Sequence, residues 1–302
     1  QTTLDYILVM SSLNKYQKKD LATHIYDTPD TYVGGADLIE ETLPIFKQDT
    51  IDWETFEYIP ALYNTFNEIL VNARDQVVRL QQMKSKNPVT VLKIEIEKET
   101  GKISISNDGE GIDIAEHPTE KDKKGKPIMI PEMIFGHLLT STNYEKDEKK
   151  IVGGKNGYGA KLTNIFSTYF KLETVDTERQ LKYVQEFRDN MKVRGKPKVT
   201  KFTGKSYTKI TWISDFARFG LDLYSSSMYQ LLERRIYDIA GVTDKSVKVI
   251  YNKQTIKQNT FEKYLKLYLK DQSYVYEDIH NRWSIGVALS LNDKFEQISF
   301  VN

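Results

Sequence analysis

Residues 151–166 read IVGGKNGYGAKLTNIF, a run with four glycines among its first nine residues that then turns apolar. Gly153, Gly154, Gly157 and Gly159 allow positive φ and a close backbone approach to a ligand. Successive N–H groups in such a loop can form a concave anion nest. A helix starting near Ala160 would add its free N–H groups and the positive end of its dipole. The run is not a Walker A loop. Gly154 and Gly159 have the right separation, but Ala160 intervenes before Lys161, and Leu162 has no hydroxyl for a metal. It is not G-x-G-x-x-G either, because the third glycine is missing. Alone, it reads equally as a phosphate cradle or a flexible surface turn.

Upstream, Pro60 suits the first turn of a helix over 61–83. Leu62, Phe66, Ile69, Ala73 and Val77 recur there at three- and four-residue steps and form a core stripe. Glu68, Asn72, Asp75 and Arg79 share a different face, which is either a solvated stripe or a site. Asn is a poor helix former. A carboxylate one turn from a carboxamide also suits Mg²⁺ chemistry: Asn72 offers a hard carbonyl oxygen and Glu68 a base for a water.

Alternation over 89–97 and 102–107, joined by Glu99-Thr100-Gly101, predicts a β-hairpin. It ends in Asn107-Asp108-Gly109-Glu110-Gly111-Ile112. This is either a tight turn or a ligand-binding segment in which Asp108 accepts from an exocyclic amine, favouring adenine over guanine. Ser141-Thr142-Asn143 is a turn by itself, but beside the glycine run it offers donors to ribose or phosphate oxygens.

Elsewhere the pattern predicts helices over 132–139, 161–167, 226–240 and 260–269. Strands are expected over 170–174, 182–187, 209–212, 246–251 and 283–291, and a charged loop over 119–127. Helices and strands segregate instead of alternating, so the fold class is α+β, with a boundary near 214–220. The 302 residues suit one large domain or two. With 39% hydrophobic and 28% charged residues the chain can build a core, and a net charge of +1 gives no compositional support for phosphate neutralisation along DNA. One basic run, Lys192, Arg194, Lys196, Lys198, Lys201 and Lys205, reads as a solvated hairpin or as a DNA-facing surface. The chain has no cysteine, which excludes disulfides and thiolate zinc sites and leans towards an intracellular setting. No apolar run approaches the ~18 residues of a membrane span, so no membrane partner is expected. A start at Gln1 in place of Met suggests a processed or excised piece.

Taken together, FNEILVNARDQ (66–76), NDGEGI (107–112) and GGKNGYGAKL (153–162) resemble, in order and spacing, the N, G1 and G2 boxes of the GHKL ATPase superfamily. YQKKDLATHI, TPDTYVGG, EILVNARD, MIFGHLLTSTNYEKDEKKIVGGKNGYGAKLTNIFSTYF, RRIYDIAG and HNRWSIGVALSLNDKFEQISFVN are similar to the N-terminal ATPase region of eukaryotic-type DNA topoisomerase II. The similarity runs from about Lys15 to Asn302.

The resemblance implies a Bergerat α/β sandwich over 25–214, preceded by an arm (1–24) and followed by the first part of a transducer domain (215–302). It implies ATP and Mg²⁺ as cofactors, with Glu68 as general base and Asn72 on the metal. Asp75, Asn107, Asp108 and Ile112 would line the nucleotide pocket, with Asp108 at the adenine amine. Ser141, Thr142 and Asn143 would meet ribose and phosphates, and Gly154, Lys155, Asn156, Gly157, Tyr158, Gly159, Ala160 and Lys161 would wrap the triphosphate. Lys161 is also placed in catalysis, as a cation at the β/γ end, and Tyr16 would reach the partner subunit's nucleotide.

Implied partners are a second copy of the chain and, in the full-length enzyme, double-stranded DNA. The implied setting is the nucleus, or a host cell or virion for a large DNA virus. Two residues depart from the family pattern: Gln76 stands where Asn is frequent, and Arg74 replaces a small residue. The family's switch lysine, DNA-cleavage module and nucleophilic tyrosine find no counterpart in this sequence. A nucleotide-driven dimerisation module with little turnover is therefore a second reading. Other members of the superfamily, heat-shock-class chaperones, mismatch-repair MutL proteins or histidine kinases, are a third; against a kinase, His24, His117, His137 and His280 lack a phospho-acceptor setting.

Overall fold

The computed structural model describes residues 19–122, 124–138, 159–280, 283–291 and 295–300. Its fold is α+β, as the segregated pattern predicts. The expected hairpin forms as β3 (Val91–Glu97) and β4 (Lys102–Asp108), with Leu92 opposite Asn107 and Ile94 opposite Ile105. Next to it in the sheet come β11 (Tyr207–Ser214), β7 (Ser167–Asp176) and β8 (Leu181–Arg188), all antiparallel. Two short strands, β9 (Val193–Arg194) and β10 (Lys198–Lys201), share the outer edge of β8. At the other edge β12 (Lys248–Tyr251) lies parallel to β3, and β13 (Gln254–Thr255) turns back on β12. The expected boundary near 214–220 therefore does not divide the sheet, since strands from both sides of it pair.

Alternation decides which face is covered. Leu92, Ile94, Ile96, Ile103, Ile105, Phe170, Leu172 and Trp212 are buried on one face. The other face carries Glu95 paired to Lys209 at 3.3 Å, Lys171 to Glu173 at 2.8 Å, and Ser104 against Thr211 at 2.9 Å. The buried face is covered by α2 (Pro60–Gln82); the earlier helix, α1, is Leu21–Asp27. Pro60 occupies the first turn of α2, where a missing N–H costs nothing. The stripe Leu62, Phe66, Ile69, Leu70, Ala73 and Val77 is buried, and Phe66 meets Trp212 with ring centroids 6.4 Å apart.

Further helices are α3 (Ile130–Gly136), α4 (Gly159–Ile165), α5 (Ser226–Val242) and α6 (Phe261–Leu269). α4 begins two residues before the expected helix and ends sooner, because Ser167 already belongs to β7. A hairpin of β1 (Ile39–Lys47) and β2 (Thr50–Tyr58) packs on α5, where Phe46 stacks on Tyr237 at 4.0 Å. Within the expected charged loop, β5 (Glu116–Lys121) and β6 (Pro127–Met129) form a small hairpin. β14 (Tyr274–His280) and β15 (Trp283–Ala288) pair beyond α6.

Candidate functional site

α2 crosses the sheet and is tied at two points to segments singled out in the sequence. The first tie is Glu68. A Cβ placed on Gly159, the first residue of α4, would lie 1.9 Å from Glu68 Oε2. Only a glycine leaves room for this carboxylate against the start of α4. The pairing of α2 and α4 is fixed by Thr163, whose buried hydroxyl donates to the Thr65 carbonyl at 2.8 Å. Asn164 then donates to the Phe135 carbonyl of α3 at 3.0 Å. Burial pushes the Glu68 carboxyl above its ordinary range, and the negative charge of Asp75 adds to the rise.

The second tie is Gln76, whose Nε2 donates to the Glu110 carbonyl at 3.3 Å while Arg79 Nε donates to Gln76 Oε1 at 2.9 Å. Gln76, one of the two departures, thus holds the turn 107–112 against α2. Between the ties lie Asn72, which is exposed, and Asp75, which is half-buried. Their oxygens sit on the stretch of helix that spans from the head of α4 to the turn. Glu68 and Asn72 supply carboxylate and carboxamide oxygens, the hard donors that Mg²⁺ prefers.

The turn is held from below as well. Gly109 has φ +90, and a Cβ on Gly111 would lie 1.9 Å from the Val175 carbonyl oxygen, so the chain presses against β7. Ile112 N–H donates to the buried Thr174 hydroxyl at 3.0 Å and Ile114 N–H to Asp176 at 3.0 Å. Arg179 bridges Asp176 and Asp113, both at 2.7 Å. Burial raises the Asp176 carboxyl, but these donors outweigh it and hold the group below its usual range. Ser206 donates to the Gly109 carbonyl and in turn accepts from Asn87 at 2.6 Å.

Asp108 differs from its expected placement. Its carboxylate accepts from Thr90 N–H at 2.7 Å, Val91 N–H at 2.8 Å and the Thr90 hydroxyl, so it clamps the start of β3. In strand β4 it alternates with Asn107, which shares the face of Ile103 and Ile105 and is 7% exposed. The residue on the α2 side of the sheet is therefore Asn107, whose Nδ2 donates to the Asp108 carbonyl at 2.8 Å.

Lys161, in the first turn of α4, is 1% exposed, and burial lowers its ammonium pKa to about 8. Ala160 is half-buried beside it. Tyr16, Ser141, Thr142, Asn143, Gly154, Lys155, Asn156, Gly157 and Tyr158 lie outside the described residues. Thr174, Asp176, Arg179 and Ser206 were missed by sequence reasoning; single polar residues in or beside strands carry no pattern that marks them. His137 sits between Glu132 at 3.3 Å and Arg194 at 3.1 Å, a structural setting that also removes Arg194 from the free basic run.

No family model matches the chain. It is 41% identical over 300 residues to DNA topoisomerase 2 of Acanthamoeba polyphaga mimivirus, covering 95% of this chain and 23% of that protein. Against DNA topoisomerase 2 of Saccharomyces cerevisiae it is 40% identical over 315 residues, covering 97% and 21%. The chain thus spans between a fifth and a quarter of the length of these curated relatives. The crystal structure of the ATPase region of S. cerevisiae topoisomerase II superposes with TM-score 0.83 at 41% identity, covering 92% of this chain and 71% of that one. The ATPase and transducer domains of topoisomerase II from Balamuthia mandrillaris give TM-score 0.85 at 38% identity, covering 96% and 72%.

Proposed function

The chain belongs to the type II DNA topoisomerase family, within the part known as the ATPase region, and from that premise we propose that it binds and hydrolyses Mg-ATP to operate a DNA gate. The observation that carries this reading is the placement of Glu68. Its half-buried carboxylate, with a raised pKa, lies against the backbone at the head of α4, where the glycine run ends. A base with raised affinity for a proton, beside a segment suited to phosphates, is arranged to take the proton of an attacking water.

In this reading Asn72 would hold Mg²⁺, which when bound would neutralise charge developing on the phosphates, while Glu68 serves as the general base. Burial keeps Glu68 basic, and the charge of Asp75, two turns further along α2, adds to the effect. The adenine lies over the turn 107–112, and Asn107 takes the place first expected for Asp108, because the Asp108 carboxylate is committed to Thr90 and Val91. Gly111 and Ile112, pinned to β7, form the floor. Gly154, Lys155, Asn156, Gly157, Tyr158, Gly159 and Ala160 cover the triphosphate, with Ser141, Thr142 and Asn143 beside them. Lys161, in the first turn of α4, is the cation this reading assigns to the β/γ phosphates. Two copies close on Mg-ATP, each arm's Tyr16 crossing to the other, and the closed dimer holds a DNA duplex. The setting is the nucleus for a cellular source, or the host cell or virion for a viral one.

The test is calorimetric binding of a non-hydrolysable Mg-ATP analogue, with mass measured on the same sample, for wild type and Asn72→Ala. Binding with dimer formation, lost in Asn72→Ala, is the expected result. Absence of binding in the wild type would overturn the reading; binding without dimerisation would leave the nucleotide site and remove the gate.

A further inference from the structure

β10 forms one end of the main sheet, and among the described residues no strand pairs beyond it. Its register on β8 sets Lys198 opposite Val184, Val199 opposite Tyr183, Thr200 opposite Lys182 and Lys201 opposite Leu181. Phe202 N–H then donates to the Gln180 carbonyl at 2.8 Å, so residue 202 bonds inward. Residues of an antiparallel strand alternate in this respect. Counting back from Phe202 puts the N–H and C=O groups of Lys201 and Val199 on the open side. All four residues of β10 are exposed, Val199 by 42%.

The charge of this edge is of one sign. Between Asp189 and Asp215 the sequence has no acidic residue. Lys196, Lys198, Lys201 and Lys205 are exposed, and among the described residues none of them forms an ion pair. Acids on the strands behind β10 are already engaged. Glu186 holds Arg188 at 2.9 Å and accepts from Tyr169 at 3.1 Å, and Glu173 holds Lys171 at 2.8 Å and Lys182 at 3.2 Å. Lys198 lies on the face of Val184 and Glu173, and Lys201 on the face of Leu181 and Asp176, so the two cations flank the open amides from opposite sides.

We propose that the open side of β10 takes up an acidic, extended segment of a protein partner as an added strand. Main-chain bonds to Val199 and Lys201 supply affinity, and two acidic side chains three residues apart, one on each face, meet Lys198 and Lys201. A nucleic-acid backbone laid along either face would reach one of these lysines and leave the amides unbonded. A second copy of the chain would bring its own lysines to the same edge, where like charges repel. The surface does not depend on the ATP reading.

The probe is a short fluorescent threonine–valine peptide with glutamates at i and i+3, beside its isomer with glutamates at i and i+2, followed by anisotropy on the 302-residue chain. The first peptide binds. The second, whose acids share one face, binds about threefold more weakly, the range of one exposed ion pair. Lys198→Glu combined with Lys201→Glu lowers affinity for the first peptide by about tenfold. Val199→Pro lowers it by about fivefold or more, because it removes an outward N–H and no bond to β8, the setting in which an edge strand tolerates proline. If Val199→Pro does not fold, the first peptide methylated on alternate amides decides on the wild type: one phase of methylation abolishes binding and the other spares it. No binding of the first peptide, equal affinity for the two isomers, or full affinity in Val199→Pro each overturns the proposal. So does a short DNA duplex that displaces the peptide and binds Val199→Pro undiminished, or self-association of the chain that Val199→Pro abolishes.

Discussion

At the scale of single residues, Glu68 and Gly159 form one unit. Glu68→Gln keeps the shape and removes the base, so turnover should fall by about a hundred- to ten-thousand-fold with nucleotide binding retained. Phosphate release and analogue binding measured side by side check this; undiminished turnover removes Glu68 from the chemistry. Gly159→Ala approaches the same carboxylate from the other side. Its methyl would stand 1.9 Å from Oε2, so the carboxylate must move, and kcat should drop more than affinity.

Lys161 gives a pH signature. Its folded pKa of about 8 lies below the 10.5 of an exposed lysine. Between those values the unfolded chain holds the extra proton, so stability rises with pH across this window, and Lys161→Met should flatten the rise in thermal melts. Bound triphosphate should draw a proton back onto Lys161. Binding near the upper part of that window should then take up protons, seen as heats that depend on the buffer's ionisation enthalpy.

The α2 face was legible because a 3.6-residue period places Glu68, Asn72 and Asp75 together whatever surrounds the helix. The choice between Asn107 and Asp108 was not. Neighbours in a strand point to opposite faces, and only the pairing of β4 with β3 decides which one meets α2.

At the scale of elements, Asp108 is a clamp on β3. Asp108→Ala leaves Thr90 N–H and Val91 N–H without their acceptor and should cost about 1–3 kcal/mol in denaturant unfolding while leaving adenine-over-guanine preference unchanged. Asn107→Ala should show the reverse, with weaker nucleotide binding and a smaller stability loss. A shift in base preference in Asp108→Ala would return that residue to the ligand.

α2, the β3–β4 hairpin, α5 and the strands of the main sheet were readable from period and turn residues. The β1–β2 hairpin was not, because its turn is built from Gln48 and Asp49 at φ 50 and 64 in place of the Asn-Gly pair that normally marks such a turn. β9 and β10 were hidden in the basic run. The lysines of β10, Lys198 and Lys201, lie along an exposed sheet edge, where charge discourages pairing with another copy as well as inviting phosphate.

At the scale of the whole molecule, the sheet joins what the sequence pattern divides. Lys248 N–H donates to the Thr90 carbonyl at 2.8 Å and Asn252 N–H to the Ile94 carbonyl at 2.9 Å. The Asn252 side chain then extends the ladder, accepting from Ile96 N–H at 2.8 Å. The strand clamped by Asp108 is thus lined on its far edge by residues that follow α5. Fragment length is therefore not a free choice. A piece ending at 214 would present the outer edge of β3 as a bare row of donors and acceptors and should self-associate at concentrations where the 302-residue chain stays dispersed, a difference that light scattering reads directly. On the ribosome the same rule acts in time. The nucleotide-facing half must wait, edge open, for about forty more residues to emerge and close it, at roughly 5–20 residues per second.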